Sequence, residues 1–152
     1  MSKPSERLRE LGITLPPVPR PVAAYVPAVR HGSLLLLSGQ IPVREGRVVY
    51  TGTAGRDRKL EEAQEAARLC ALNALAVAAD AAGGVDNLKR VLKVVVYVAS
   101  HEGFTDQHLV ANGASAFLAD VFGEAGKHAR AAVGVAELPL NSTVEVDVTF
   151  EA

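Results

Sequence analysis

The sequence predicts an α+β fold: a mixed β-sheet with two helices packed on one face. Three observations predict it. Val144, Val146, Val148 and Phe150 alternate with Glu145, Asp147, Thr149 and Glu151, the pattern of a strand with one apolar and one polar face. Ala63, Ala67, Cys70, Ala74, Val77 and Ala81 repeat at helical spacing, a stripe of small side chains that lets a helix lie close to a sheet. The elements follow the order β-β-β-α-β-α-β-β, which two packed layers accommodate.

Taken in order, residues 1–21 read as an N-terminal extension and residues 22–152 as a single domain. Ser5 to Leu11 suits a short helix; Pro16, Pro17, Pro19 and Pro21 then force extended chain. A first strand is expected over Val22 to Val29. His31-Gly32-Ser33 is a turn, and Leu34 to Leu37 a strand buried on both faces, closed by Gly39 and Pro42. Glu45-Gly46 is a second turn before a short strand at Arg47 to Tyr50. The first long helix should span Arg58 to Ala82, capped by Asp57, with Glu61 and Glu62 where the helix dipole favours anions. Gly83-Gly84 ends it. Valine-rich Val91 to Ala99 predicts a central strand. A second helix runs from Thr105 or Asp106 to Phe122, then strands over Ala131 to Leu138 and Thr143 to Phe150.

A chain of 152 residues suits one domain with a sizeable core. Its net charge of −1 gives no long-range attraction to nucleic acid or an anionic membrane, so neither is an expected partner. No apolar run is long enough to span a bilayer. Met1 to Glu10 has no apolar stretch of the secretory kind, and the single Cys70 fits a reducing compartment, so a cytoplasmic location is expected. Helices on one face leave the other uncovered. Leu34–Leu37 and Val91–Val98 are too apolar to face water, which predicts a homo-oligomer.

Candidate chemistry narrows quickly. His31, His101, His108 and His128 show no i, i+4 pair and there is no Cys cluster, so no metal site is expected. Cys70 lies on the apolar helical stripe and reads as a packed thiol. There is no Gly-x-Ser-x-Gly elbow. Gly52-x-x-Gly55 lacks the strand and flanking residues of a nucleotide loop, and Arg56-Asp57-Arg58-Lys59 reads as a solvated helix start. Arg130 remains, a permanent cation at the head of the small apolar run Ala131 to Leu138. Buried there, it needs an anion, either an internal carboxylate or a small anionic ligand. If the last two strands form a hairpin, Glu145 lies near Ala131 to Glu137 and supplies an internal candidate.

Several of these residues together resemble a known family. Tyr25 and Pro27, Ser38-Gly39-Gln40-Ile41-Pro42, Asn112, Arg130-x-x-Val133-x-Val135-Ala136-x-Leu138-Pro139 and Val144-Glu145-Val146 are similar in order and spacing to the Rid, or YjgF-like, family of reactive intermediate deaminases. The resemblance covers residues 22 to 152. It implies a chorismate-mutase-like fold with a six-stranded sheet and two helices on one face. It also implies a homotrimer with sites between subunits, and hydrolysis of small enamines and imines to 2-keto acids and ammonia without a cofactor. By the same resemblance, Arg130 grips the carboxylate of a small substrate, Glu145 stands near the attacking water, and Tyr25, Ser38, Gly39 and Asn112 line the cleft.

The chain departs from the family pattern at Ala131 and Ala132, where active members often carry a hydroxyl and a thiol. The segment from Phe104 to Asn112 is also longer than usual. A second reading is therefore a non-catalytic trimer that binds a small carboxylate or a protein partner. A third, ribonuclease activity, for which the family has been named, is opposed by the near-neutral charge and the absence of Trp.

Overall fold

The computed structural model describes residues 2–20 and 22–152, so Pro21 of the expected proline-rich stretch lies outside the described residues. Five strands form the main sheet in the order β1-β2-β7-β5-β6: β1 (Ala28–His31), β2 (Leu34–Leu37), β5 (Arg90–Ala99), β6 (Ala129–Val135) and β7 (Val144–Glu151). Two further strands, β3 (Val43–Arg44) and β4 (Arg47–Val48), pair only with each other. Their turn places Glu45 at φ 53° and Gly46 at φ 79°, the two left-handed residues a tight hairpin requires. The main sheet thus has five strands, not six, because two-residue strands form a separate ribbon.

Three helices are present among the described residues: α1 (Pro4–Glu10), α2 (Leu60–Ala82) and α3 (Gln107–Phe122). Helix α2 presents Ala63, Ala67, Cys70, Ala74 and Val77 to the core as its spacing predicts, and stops at Gly83, φ 78°. It starts later than Asp57. The Asp57 carboxylate accepts from Thr53 N–H (2.8 Å) and Oγ1–H (3.1 Å) and so closes the preceding loop. The helix start is held instead by Glu62, which accepts from Lys59 N–H at 3.0 Å. Gly113 lets α3 cross α2 closely, since a Cβ there would overlap the Gln64 carbonyl. α1, the short helix expected in the N-terminal segment, packs on α3. Leu8 is buried, Arg7 Nε donates to Asp120 O (3.0 Å), and Ser5 donates to Asp86 through N–H (2.9 Å) and Oγ–H (2.6 Å).

The core lies between the helices and one sheet face. Leu35, Leu37, Val91, Val94, Val96, Val98, Val144, Val146, Val148 and Phe150 point into it. The opposite face carries Val29, Leu34, Leu36, Val95, Tyr97 and Val133 beside Glu145, Asp147 and Thr149. Leu34 and Leu36 are 40% and 44% exposed, so β2 is buried on one face and not on both. The helices of a single chain cover only one side of the sheet. The first strand begins at Ala28, later than expected, because Val22 to Val26 lie exposed and outside the ladder.

β5 is central, antiparallel to β7 and parallel to β6. β6 and β7 therefore do not form a hairpin, although only residues 136–143 join them. The crossover through α3 sets β6 parallel to β5 on one side, and β7 takes the other, so the most apolar strand has both its edges buried. The intervening turn, with Leu140 at φ 56° and Asn141 at φ 59°, carries the chain across the end of β5. No helix among the described residues is long and apolar enough to cross a membrane.

Candidate active site

Arg130 stands near the start of edge strand β6, beside Val94 of β5 and on the helix-facing side. Its guanidinium reaches over α3. Nη1 donates to Asn112 Oδ1 (2.8 Å) and Ser115 Oγ (3.3 Å), and Nη2 donates to His108 O (3.2 Å). Residues 108, 112 and 115 are spaced i, i+4, i+7, so a single face of α3 builds this cradle. All three acceptors are neutral. None of the ion pairs among the described residues involves Arg130.

A guanidinium carries five N–H groups. Three are engaged, which leaves Nε–H and one Nη2–H without a protein partner among the described residues. Those two nitrogens share an edge of the planar group and suit a two-oxygen acceptor. The expected burial of Arg130 is corrected: β6 is an edge strand and the residue is exposed in the single chain.

Glu145 lies on β7 opposite Tyr97, on the face that carries no helix. It is half-buried, and that burial raises its pKa; the Asp147 carboxylate on the same face adds to the rise. Asp147 is itself raised by burial. Gly39 sits directly against Glu145, since a Cβ on it would lie 2.6 Å from Oε2. The backbone fixes this approach, because Gln40 and Val146 exchange hydrogen bonds of 2.8 and 2.9 Å. Ser38 donates through N–H to Pro27 O (2.8 Å) and through Oγ–H to Val26 O (2.7 Å). Its hydroxyl proton is thus committed to the backbone, where it anchors the segment that presents Tyr25, 60% exposed.

The site residues read from the sequence therefore fall into two groups. Arg130 and Asn112 meet at the β6 edge; Ser38, Gly39 and Glu145 meet near β7, with Tyr25 anchored alongside. The groups do not meet within one chain. Arg130 aligns with Val94 and Glu145 with Tyr97, two strands apart and on opposite faces, a backbone separation of roughly 14 Å from standard sheet spacings. Glu145 is not the internal partner of Arg130 that a hairpin would have made it, because β5 lies between them.

No group of metal-ligating side chains occurs among the described residues. Cys70 is fully buried, its thiol pKa is raised mainly by that burial, and its Sγ lies 3.6 Å from Val144 O, as a packed thiol would. A cleft of about 430 Å³ opens elsewhere, at the C-terminal ends of β5 and β6, among Ser100, His101, Glu102 and Glu137.

Sequence reasoning missed Ser115 and His128. Ser115 Oγ lies 2.8 Å from His128 Nε2 as well as beside Arg130, and His128 Nδ1 lies 2.6 Å from Gly126 O. The available signals were weak: Ser115 follows Asn112 by three helical positions, and His128 precedes Arg130 by two positions, just before β6.

The chain matches the family model described as "YjgF/chorismate mutase-like, putative endoribonuclease" over residues 5–151. It is 46% identical to Protein TCP17 of Trypanosoma cruzi over 95% of this chain and 91% of that one. It is 30% identical to a 2-iminobutanoate/2-iminopropanoate deaminase of Dermatophagoides farinae over 89% of this chain and 91% of that one. Among solved structures, a protein from Shewanella oneidensis MR-1 described as a "putative endoribonuclease" superposes with a TM-score of 0.95 at 33% identity, over 99% of this chain and 100% of that one.

Proposed function

Given that this chain belongs to the YjgF-like, or Rid, family, we propose that it hydrolyses small imino acids or their enamines to 2-keto acids and ammonia. The proposed site is shared between copies, with the Arg130 edge of one chain facing the Gly39–Glu145 cluster of the next. The observation that carries the reading is the guanidinium edge of Arg130, held open by neutral acceptors with two donors unspent. A small carboxylate fits that edge in a bidentate contact and is thereby oriented. The uncovered sheet face, apolar at Leu34, Leu36 and Val133, supports an assembly that brings two chains together. A homotrimer is the assembly the family resemblance implies.

In this reading, substrate binds with its carboxylate on Arg130 and its C=N carbon toward Glu145. The Glu145 carboxylate takes a proton from water as the oxygen adds to that carbon. Glu145 returns that proton to the nitrogen to give the carbinolamine, then takes the hydroxyl proton as the C=O bond forms and passes it to the departing nitrogen, so that the C–N bond breaks and ammonia leaves. A carboxyl whose pKa is raised by burial is a better base for this exchange than an exposed one. Imines hydrolyse readily in water, so positioning and one proton relay suffice. No cofactor is called for.

Mixing single variants tests the reading. Arg130→Ala and Glu145→Gln should each lower kcat/KM for 2-iminopropionate by about 10²-fold or more. After dissociation and reassembly together, about a quarter of sites should combine an intact Arg130 with an intact Glu145 from different chains, and turnover should return to about that fraction. Failure of the mixture to recover activity, with mixed assembly confirmed, would sink the shared site. Normal turnover by Arg130→Ala alone would sink the deaminase.

The alternative is an oligomer that binds a small carboxylate without hydrolysing it. Ala131 and Ala132 favour it, since neither supplies a hydroxyl or thiol next to Arg130. A protein that binds 2-ketobutyrate but does not hasten imine decay would establish it.

A further inference from the structure

Ser115 lies beside Arg130, and His128 lies beside Ser115. For a neutral His128 ring their hydrogen bonds have one consistent polarity. Gly126 O can only accept, so His128 Nδ1 carries the proton that faces it, 2.6 Å away. In the neutral ring, Nε2 is then an acceptor, and Ser115 Oγ–H donates to it across 2.8 Å. With its proton so committed, Ser115 turns a lone pair toward Arg130 and accepts from Nη1 at 3.3 Å. The chain of bonds runs from Arg130 through Ser115 and His128 to the backbone at Gly126. It ties β6 to α3 and to the short helical turn over Gly123–Gly126.

We propose that Ser115 and His128 are positioning residues that fix the Arg130 guanidinium with its Nε and Nη2 edge outward. The proposal rests on the reading of Arg130 as the carboxylate anchor. Asn112 holds one Nη1 proton and Ser115 the other. With both held, rotation about the Nε–Cζ bond is blocked and the free edge keeps one direction. A hydroxyl without His128 is free to rotate, and its proton then opposes the guanidinium for part of the time. Preorganisation of this kind raises affinity by removing an ordering cost otherwise met at binding.

A nucleophilic role for Ser115 fits the geometry less well, despite the adjacent histidine. Its lone pair is engaged by a cation, which lowers the reactivity of the oxygen. The proposal needs no covalent step.

Nuclear magnetic resonance of the Arg130 guanidinium, assigned by its loss in Arg130→Lys, tests this without any ligand. The wild-type chain should show resolved, slowly exchanging Nη signals and a His128 ring protonated on Nδ1. Ser115→Ala and His128→Leu should collapse those Nη signals to an average while thermal unfolding shows the fold retained. His128→Gln, which keeps an acceptor in the Nε2 position, should preserve them. In turnover of 2-iminopropionate, the two disrupting variants should raise KM about 5- to 20-fold and leave kcat within about threefold, because the carboxylate anchor acts equally on substrate and transition state.

Nη signals already averaged in the wild type, or unchanged in both disrupting variants, would overturn the proposal. A wild-type chain that does not hydrolyse the imine refutes the deaminase alone, since the resonance result still decides the positioning role.

Discussion

At the β6 edge, Arg130 is held by side chains and one carbonyl of a single helix; on β7, an interior strand, Glu145 is held by backbone. Asn112, Ser115 and His108 O grip the first through bonds of 2.8 to 3.3 Å. The second is confined by Gly39 and by the Gln40–Val146 pair of hydrogen bonds. The difference teaches where each half is vulnerable. A group oriented by side chains loosens by degrees as its partners are removed. A group confined by a glycine stays in place until a side chain is added there.

The largest expected effect is at the cation. Arg130→Ala should lower kcat/KM for 2-iminopropionate by about 10²- to 10³-fold, since a charge-assisted bidentate contact is lost. The residue is exposed and in no ion pair among the described residues, so circular dichroism and assembly should be unchanged. A comparable loss of folded protein would mean that Arg130 is structural and would remove the contrast between the two regions.

Next comes the glycine. In Gly39→Ala the new methyl must displace the Glu145 carboxylate, whose Oε2 stands 2.6 Å from the Cβ position. A flexible side-chain end gives way cheaply, so stability should hold while kcat falls about 10- to 100-fold through a misplaced base. Unchanged kcat would detach Glu145 from the chemistry. Asn112→Ala should act on the other parameter. With one of three acceptors gone, KM should rise about threefold to tenfold with kcat nearly constant. A fall in kcat alone would mean that the two regions do not divide binding and chemistry in this way.

The same contrast explains what the sequence disclosed. Arg130 and Glu145 stand out because chemistry marks them, a fixed cation in a small apolar strand and a carboxylate in an alternating one. The helices, the central strand and the Glu45-Gly46 turn follow from spacing and local backbone needs. The neighbours of β7 do not. A short polar connection between two strand patterns serves a hairpin or a step across a third strand equally well, and only the paired register of β5 decides. Ser115 and His128 were hidden for a related reason. Their contact depends on how α3 lies over β6, which no local pattern encodes. β7 alternates as its sequence predicts, whereas β2, four leucines with no alternation to read, is covered by the helices on one face only.

The smallest effect concerns the carboxyls of that face. Burial raises the pKa of Asp147, and burial with help from Asp147 raises that of Glu145. A carboxyl raised in the folded state binds protons more tightly there than in the unfolded chain. Its ionisation therefore costs no stability below the ordinary value, and the cost develops as pH rises from that value through the folded pKa. Asp147→Asn removes the charge. The variant should melt above the wild type at pH 7, and the gap should close as pH falls into the ordinary carboxylate range. The gain should be roughly a degree or two, because water still screens a half-buried group. Glu145→Gln should behave alike in stability yet lose turnover, whereas Asp147→Asn should keep it. Equal loss of turnover in both would make the two carboxyls one catalytic unit and shift the chemistry from Glu145 to the β7 stripe.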